Sequence, residues 1–84
     1  MNAVEYYKLK FGEDRTKGFV HLVKEMGELA GSMEKGLDDI AKYELAEVAG
    51  ICQYLASTYG IFDFNTEIEK LYVQKLQKLQ NPSK

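Results

Sequence analysis

The sequence predicts an all-α domain, built as a small bundle of about four helices. The only proline among the 84 residues is Pro82, so the chain before it is free to be helical. Apolar residues recur at helical spacing, and glycines at positions 12, 36 and 60 separate the segments that carry them. We therefore predict one helical domain over residues 1–80 and a disordered tail over residues 81–84.

The first helix is predicted to be short, covering about residues 2–11. It places Val4, Tyr7 and Phe11 on one side, and Gly12 follows where a helix can end on a left-handed residue. A polar turn of residues 13–16 then leads into the second helix.

The second helix has the clearest pattern in the chain. Asp14 or Thr16 can cap its start, and it stops near Gly36. Its apolar residues follow the i, i+3, i+4, i+7 spacing that predicts an amphipathic helix. This α2 apolar stripe consists of Phe19, Leu22, Val23, Met26, Leu29, Ala30 and Met33.

Two further helices complete the predicted bundle. Either aspartate of the pair at positions 38–39 can cap a third helix, which runs to about Tyr59. Asn65 or Thr66 then starts a fourth helix with a narrow apolar stripe. This α4 stripe consists of Ile68, Leu71, Tyr72, Leu76 and Leu79.

Charge and cysteine content exclude several classes of function. The net charge is −2 and both signs are mixed along the chain, which is unlike the basic surface of a nucleic-acid-binding protein. The single cysteine, Cys52, excludes a disulfide within one chain and has no basic neighbour to activate it, so we predict a packing role. With no apolar leader or membrane-length segment visible, we expect a cytoplasmic protein without a membrane or nucleic-acid partner.

Two glutamates of the third helix lie where a core is expected. At about 100° per residue, Ile51 and Leu55 belong to an apolar stripe, with Glu44 near its middle and Glu47 at its edge. Ionised carboxylates are almost never buried without a partner or a metal. This helix alone leaves two alternatives open, namely carboxylates that reach water or a lysine, and carboxylates that bind a metal ion.

The second helix carries a matching pair of glutamates. Glu25 and Glu28 are also three residues apart, in a polar stripe shared with His21 and Ser32. Taken alone, such a stripe is typical of a solvated helix face. The chain lacks the Glu-x-x-His pairs of a di-iron site, so His21 is predicted to be a surface or packing residue and not a ligand.

Considered together, the two glutamate pairs predict a metal site between the second and third helices. A short connection at Gly36 makes the second and third helices antiparallel neighbours, with Glu28 level with Glu44 and Glu25 level with Glu47. Four converging carboxylates are stable only around a hard divalent cation, for which Mg²⁺ or Mn²⁺ is the natural choice. A cation held in this way can bind di- and triphosphates and assist attack on a phosphoanhydride.

The residues around these pairs resemble a known family. Residues 25–30 read EMGELA and residues 44–48 read ELAEV. They resemble the E-x-G-E-L-A and E-L-A-D-V segments of MazG-like nucleotide pyrophosphohydrolases, including the dCTP pyrophosphatase-like branch. The similarity covers about residues 19–61, roughly half of the chain by the span of the matching pattern.

The resemblance implies a Mg²⁺-dependent homo-oligomer, a dimer or tetramer, that hydrolyses a nucleoside triphosphate between its α and β phosphates. The products would be a nucleoside monophosphate and pyrophosphate, with Mn²⁺ as an alternative cation. Carried over by position, metal binding and catalysis fall on four residues, called the four glutamates below: Glu25, Glu28, Glu44 and Glu47. One of them, or Glu34 or Asp39, would activate the water, and Lys75 matches a last-helix lysine that contacts substrate.

The chain also departs from the family pattern. Glu47 stands where the family usually has Asp, Lys24 where many members have Glu, and Leu79 near the position of a last-helix Asn. The changes at Glu47 and Leu79 favour a rival interpretation, a helical assembly or regulatory module on the same fold without catalysis. A plain helical partner-binding domain is a third. Retention of the four glutamates opposes the non-catalytic module, because without a metal they would only destabilise the fold.

Overall fold

The computed structural model describes residues 1–83, which form four α-helices and no strand. The helices are α1 (Asn2–Phe11), α2 (Arg15–Glu34), α3 (Asp38–Thr58) and α4 (Phe64–Gln80). The all-α prediction with four helices is confirmed, and the bounds of α1 agree with those predicted.

Glycines end the first three helices as the sequence predicted. Gly12, Gly36 and Gly60 have φ values of 62°, 71° and 78°, in the left-handed region where a glycine avoids the strain that a side chain would cause. At the start of α2 the Asp14 carboxylate accepts a hydrogen bond of 3.1 Å from the Lys17 N–H. The N-cap of α2 is therefore Asp14 and not the alternative, threonine.

The predicted starts of α3 and α4 need correction. Asp38 and Asp39 lie inside the first turn of α3, where their charges favour the helix dipole, and the N-cap is Leu37 without a side-chain hydrogen bond. Helix α4 begins earlier than predicted, because Asp63 is its cap and accepts a 3.1 Å hydrogen bond from the Thr66 N–H.

Helices α1, α2 and α3 pack together around a small aromatic core. Its buried residues are Tyr7, Ile51 and Tyr54, with Phe11, Leu22 and Leu55 packed against them. Two glycines allow the close approach. A Cβ atom at Gly18 of α2 would lie 2.8 Å from Tyr54 Cε2, and one at Gly50 of α3 would lie 3.3 Å from Ala3 Cβ. Both sites lack room for a side chain, which explains glycine inside these helices.

The orientation of α2 differs from what its pattern suggested. Glu25 and Ser32, from the polar stripe, are buried, and His21 is half-buried. Most of the α2 apolar stripe is exposed in the single chain, including Phe19 at 56% and Met33 at 67% of full exposure. The polar side of α2 therefore faces α1 and α3. On the apolar side Leu22 packs against the core and Leu29 is half-buried, and the rest of the stripe is exposed in the described chain.

The end of the chain lies outside the packed helices. Residues 81–83 follow α4 as an exposed, non-helical segment. Lys84, the last residue of the predicted disordered tail, lies outside the described residues. No helix within residues 1–83 combines the length and apolar character needed to cross a membrane.

Candidate functional site

The site is built on the antiparallel pair formed by α2 and α3. Gly18 near the start of α2 lies against Tyr54 near the end of α3. At the other end of the pair, Met33 and Leu45 line one shared groove. The Gly18–Tyr54 contact is consistent with the predicted register, in which Glu25 is level with residue 47 and Glu28 with residue 44.

Glu25 and Glu44 are the two buried glutamates of the pair. They expose only 5% and 8% of their surface, respectively. Among residues 1–83 neither Glu25 Oε2 nor Glu44 Oε1 has a hydrogen-bond partner, although both atoms are out of contact with water. A buried carboxylate oxygen without a partner is costly, so each of these atoms is available to a cation or a donor that is not part of the chain.

A histidine holds the other oxygen of Glu25. His21 Nε2 lies 3.3 Å from Glu25 Oε1, one turn earlier on α2. The imidazole packs against Tyr7 and Phe11, with ring centroids 5.9 Å and 5.5 Å away. These contacts are consistent with the predicted packing role of His21. The histidine contacts Oε1 of Glu25 and leaves Oε2 without a partner.

Tyr7 brings the influence of a third glutamate into the same region. Burial raises the pKa of the Tyr7 hydroxyl, and the negative charges of Glu47 and Glu25 raise it further. The charges of one glutamate from α2 and one from α3 therefore both favour the neutral form of the Tyr7 hydroxyl. Sequence reasoning missed Tyr7, because its place in the apolar row of α1 signalled only packing.

The remaining two of the four glutamates are more accessible. Glu28 is exposed and Glu47 is half-buried. Within residues 1–83 no three His, Cys, Asp or Glu side chains are close enough together to hold a metal ion. The single chain thus has two buried carboxylates, each with an oxygen that lacks a partner, and two more solvent-exposed carboxylates. Within residues 1–83 the four do not form a closed cage.

The two buried carboxylates fit the requirements of Mg²⁺. This ion takes oxygen ligands, keeps several waters, and is usually held by one or two carboxylates together with substrate phosphates. Glu25 Oε2 on α2 and Glu44 Oε1 on α3 are the two oxygens without a partner that would serve such an ion as ligands.

Two other predicted residues lie apart from this site. Lys75 is exposed on α4, with its Nζ 5.5 Å from the centre of the Tyr72 ring, and α4 forms no extended packing with α2 or α3. Burial raises the pKa of the Cys52 thiol, which keeps the thiol protonated at neutral pH and agrees with a packing role.

Comparisons with known protein families, curated proteins and solved structures give no match for this chain. The residues and their geometry are therefore the basis of the functional argument.

Proposed function

We propose that the chain is a Mg²⁺-dependent nucleoside triphosphate pyrophosphohydrolase of the MazG-like kind. The observation that carries the proposal is the pair of buried carboxylate oxygens without partners, Glu25 Oε2 and Glu44 Oε1, on adjacent antiparallel helices. Two such atoms only destabilise an isolated chain, whereas a bound divalent cation makes both favourable.

The reaction that this site would support is hydrolysis of the α–β phosphoanhydride. When bound, Mg²⁺ would neutralise phosphate charge and polarise the anhydride. Glu25 and Glu44 would hold the cation, and Glu28 or Glu47, which reach water, would take a proton from the attacking water molecule. The water oxygen bonds to the α-phosphorus, the bond to the bridging oxygen breaks, and pyrophosphate leaves with that electron pair.

A homo-oligomer belongs to the same proposal. The exposed α2 apolar stripe supports it, because a large contiguous apolar surface is rare on a monomer and typical of an interface. The stripe and the buried carboxylates lie on different sides of α2, so assembly through the stripe would not cover Glu25 or Glu44 further.

The alternative is a helical assembly or regulatory module without catalysis. It is favoured by the same exposed stripe and by the lack of a gathered group of three metal-ligating side chains within residues 1–83. The two proposals differ in whether the protein hydrolyses nucleotides and in whether it depends on Mg²⁺ to do so.

The deciding assay is pyrophosphate release from a panel of ribo- and deoxyribonucleoside triphosphates, with and without Mg²⁺. Glu44→Gln removes a proposed ligand, and Glu5→Gln makes the same change at an exposed position of α1. We expect Mg²⁺-dependent release from the wild type and Glu5→Gln, and loss of at least about 100-fold in Glu44→Gln. No release from any nucleotide with Mg²⁺ or Mn²⁺ would favour the non-catalytic module.

A further inference from the structure

Helix α4 forms no extended packing with the other three helices of the described chain. All 17 of its residues are described and none is buried, while α1, α2 and α3 contact one another. Every residue of the α4 stripe is exposed, from 36% at Ile68 to 79% at Leu79. An isolated helix of this length is marginal in water, so α4 needs a surface to cover its stripe.

The chain is more extended and exposes more surface than a compact domain of its length. The Cα radius of gyration is 15.4 Å, compared with about 12 Å expected for a compact domain of this length. The accessible surface is 6534 Å². A compact monomer of 9.6 kDa would expose about 5,100 Å². Two copies that each covered the excess would together bury roughly 2,900 Å², which is in the range of obligate homodimers.

Charge favours α4 packing on α2 of a second copy over packing on a second α4. Helix α4 contains 3 lysines and 2 glutamates, whereas α2 contains 3 basic and 3 acidic residues. Lys75 lies among the apolar residues of the α4 stripe, so a covering surface must accept a positive charge. An α4–α4 contact would bring two net-positive helices together, and contact with the neutral α2 would not.

The link before α4 is held at both of its ends. The Arg15 guanidinium lies 3.9 Å from the centre of the Tyr59 ring, and the Ile61 N–H donates to the Ala56 carbonyl at 3.1 Å. Asp63 then caps α4. These contacts leave only a short link between the end of α3 and the start of α4.

We propose that α4 packs in trans, with its stripe covering the α2 apolar stripe of a second copy of this chain. Exchange of the two arms is reciprocal, which gives a closed two-fold dimer. The stripes match in kind, since each is an apolar row on a helix with polar flanks and each lacks a cover within the described part of its own chain. This inference is independent of catalysis and rests on the homo-oligomer of the proposed function, for which it names the helix that covers the α2 apolar stripe.

The test compares two lysine substitutions two residues apart on α4. Leu71 lies in the stripe and is 49% exposed, whereas Val73 points to the opposite side of the helix and is 52% exposed. In a single chain the two changes are equivalent, and only a partner on the stripe distinguishes them. Light scattering after size exclusion measures the mass of the wild type, Leu71→Lys and Val73→Lys.

We expect a dimer for the wild type and Val73→Lys and a monomer for Leu71→Lys. The milder pair Leu71→Ala and Val73→Ala covers the case in which the lysine variant does not fold. We expect roughly 10- to 100-fold weaker dimerisation for Leu71→Ala and little change for Val73→Ala. The wild-type Tm should also rise with protein concentration.

Three results would overturn the inference: a wild type that is monomeric with a concentration-independent Tm, equal dimerisation of the two variants, or equal loss of the dimer in both. A dimer that behaves as expected but hydrolyses no nucleotide would support the inference and reject only the proposed enzyme. Active protein with equal dimerisation of the variants would do the reverse.

Discussion

Replacing Glu44 by glutamine should move stability in opposite directions with and without Mg²⁺. Glu44 is 8% exposed, and among the residues described its Oε1 has no hydrogen-bond partner. Glutamine keeps the size of the side chain and removes its charge. Without metal the substitution relieves an uncompensated buried charge, and with metal it removes a ligand.

The magnitudes follow from the burial of this one carboxylate. An unpartnered buried polar group costs about 1–3 kcal/mol, more when charged, so the neutral amide should be favoured by about 1 kcal/mol without metal. For a domain of this length that is a Tm increase of roughly 4–8 °C. At Mg²⁺ concentrations about 100-fold above Kd, the wild type should gain about 2.7 kcal/mol that Glu44→Gln does not. The order of the two proteins should therefore invert.

The assay is thermal unfolding followed by circular dichroism in EDTA and in Mg²⁺, at one protein concentration. Glu5→Gln is the control, since an exposed change of the same chemistry should stay within about 0.5 kcal/mol of the wild type and keep the Mg²⁺ gain. The reasoning fails if Glu44→Gln is the less stable protein in EDTA, or if Mg²⁺ raises the Tm of all three proteins equally.

Three further predictions concern the core and can be measured by urea unfolding. Gly18→Ala should destabilise the fold by about 1–3 kcal/mol, because the new Cβ would lie 2.8 Å from the Tyr54 ring. Gly27→Ala should stabilise it by up to about 1 kcal/mol, because the new Cβ meets nothing within 4 Å in the described chain. Similar effects of the two substitutions would refute the packing at Gly18. Tyr54→Phe removes the hydroxyl that donates to the Gly12 carbonyl at 2.8 Å and should cost about 1 kcal/mol; no cost would contradict that hydrogen bond. Burial and nearby carboxylates raise the pKa of Tyr7 above its ordinary 10.0. The contribution of the neutral Tyr7 hydroxyl to the stability of the fold is therefore complete below about pH 10 and is lost as the pH rises through the pKa of Tyr7 in the folded protein. Tyr7→Phe should make the alkaline loss of stability shallower, and an unchanged slope would exclude this cause.

Much of the secondary structure could be predicted because it depends on local chemistry. The ends at Gly12 and Gly60 follow from the backbone freedom of glycine, and the cap at Asp14 follows from a carboxylate within reach of free N–H groups. The starts of α3 and α4 were less well predicted, because several polar residues in each loop can cap a helix and only the path of the chain selects Asp63.

The faces of the helices were harder to predict than their bounds. On α3 the middle of the predicted face is inside, with Ile51 and Glu44 buried and Leu55 half-buried, whereas Ile40 at its start is exposed. On α2 the polar side is inside, because Gly18 admits the Tyr54 ring and α1 brings Tyr7 and Phe11 over His21. Periodicity identifies an apolar row but does not say which surface covers it, and a covering surface on another copy leaves no trace in the local pattern.

The most direct test of the central claim is phosphorus NMR of a nucleoside triphosphate incubated with the protein and Mg²⁺. We expect signals of the monophosphate and pyrophosphate to grow together as the triphosphate disappears, and no such change with Glu44→Gln. Formation of a diphosphate and orthophosphate would contradict cleavage between the α and β phosphates. A spectrum that stays unchanged for every triphosphate tested would contradict the enzyme itself.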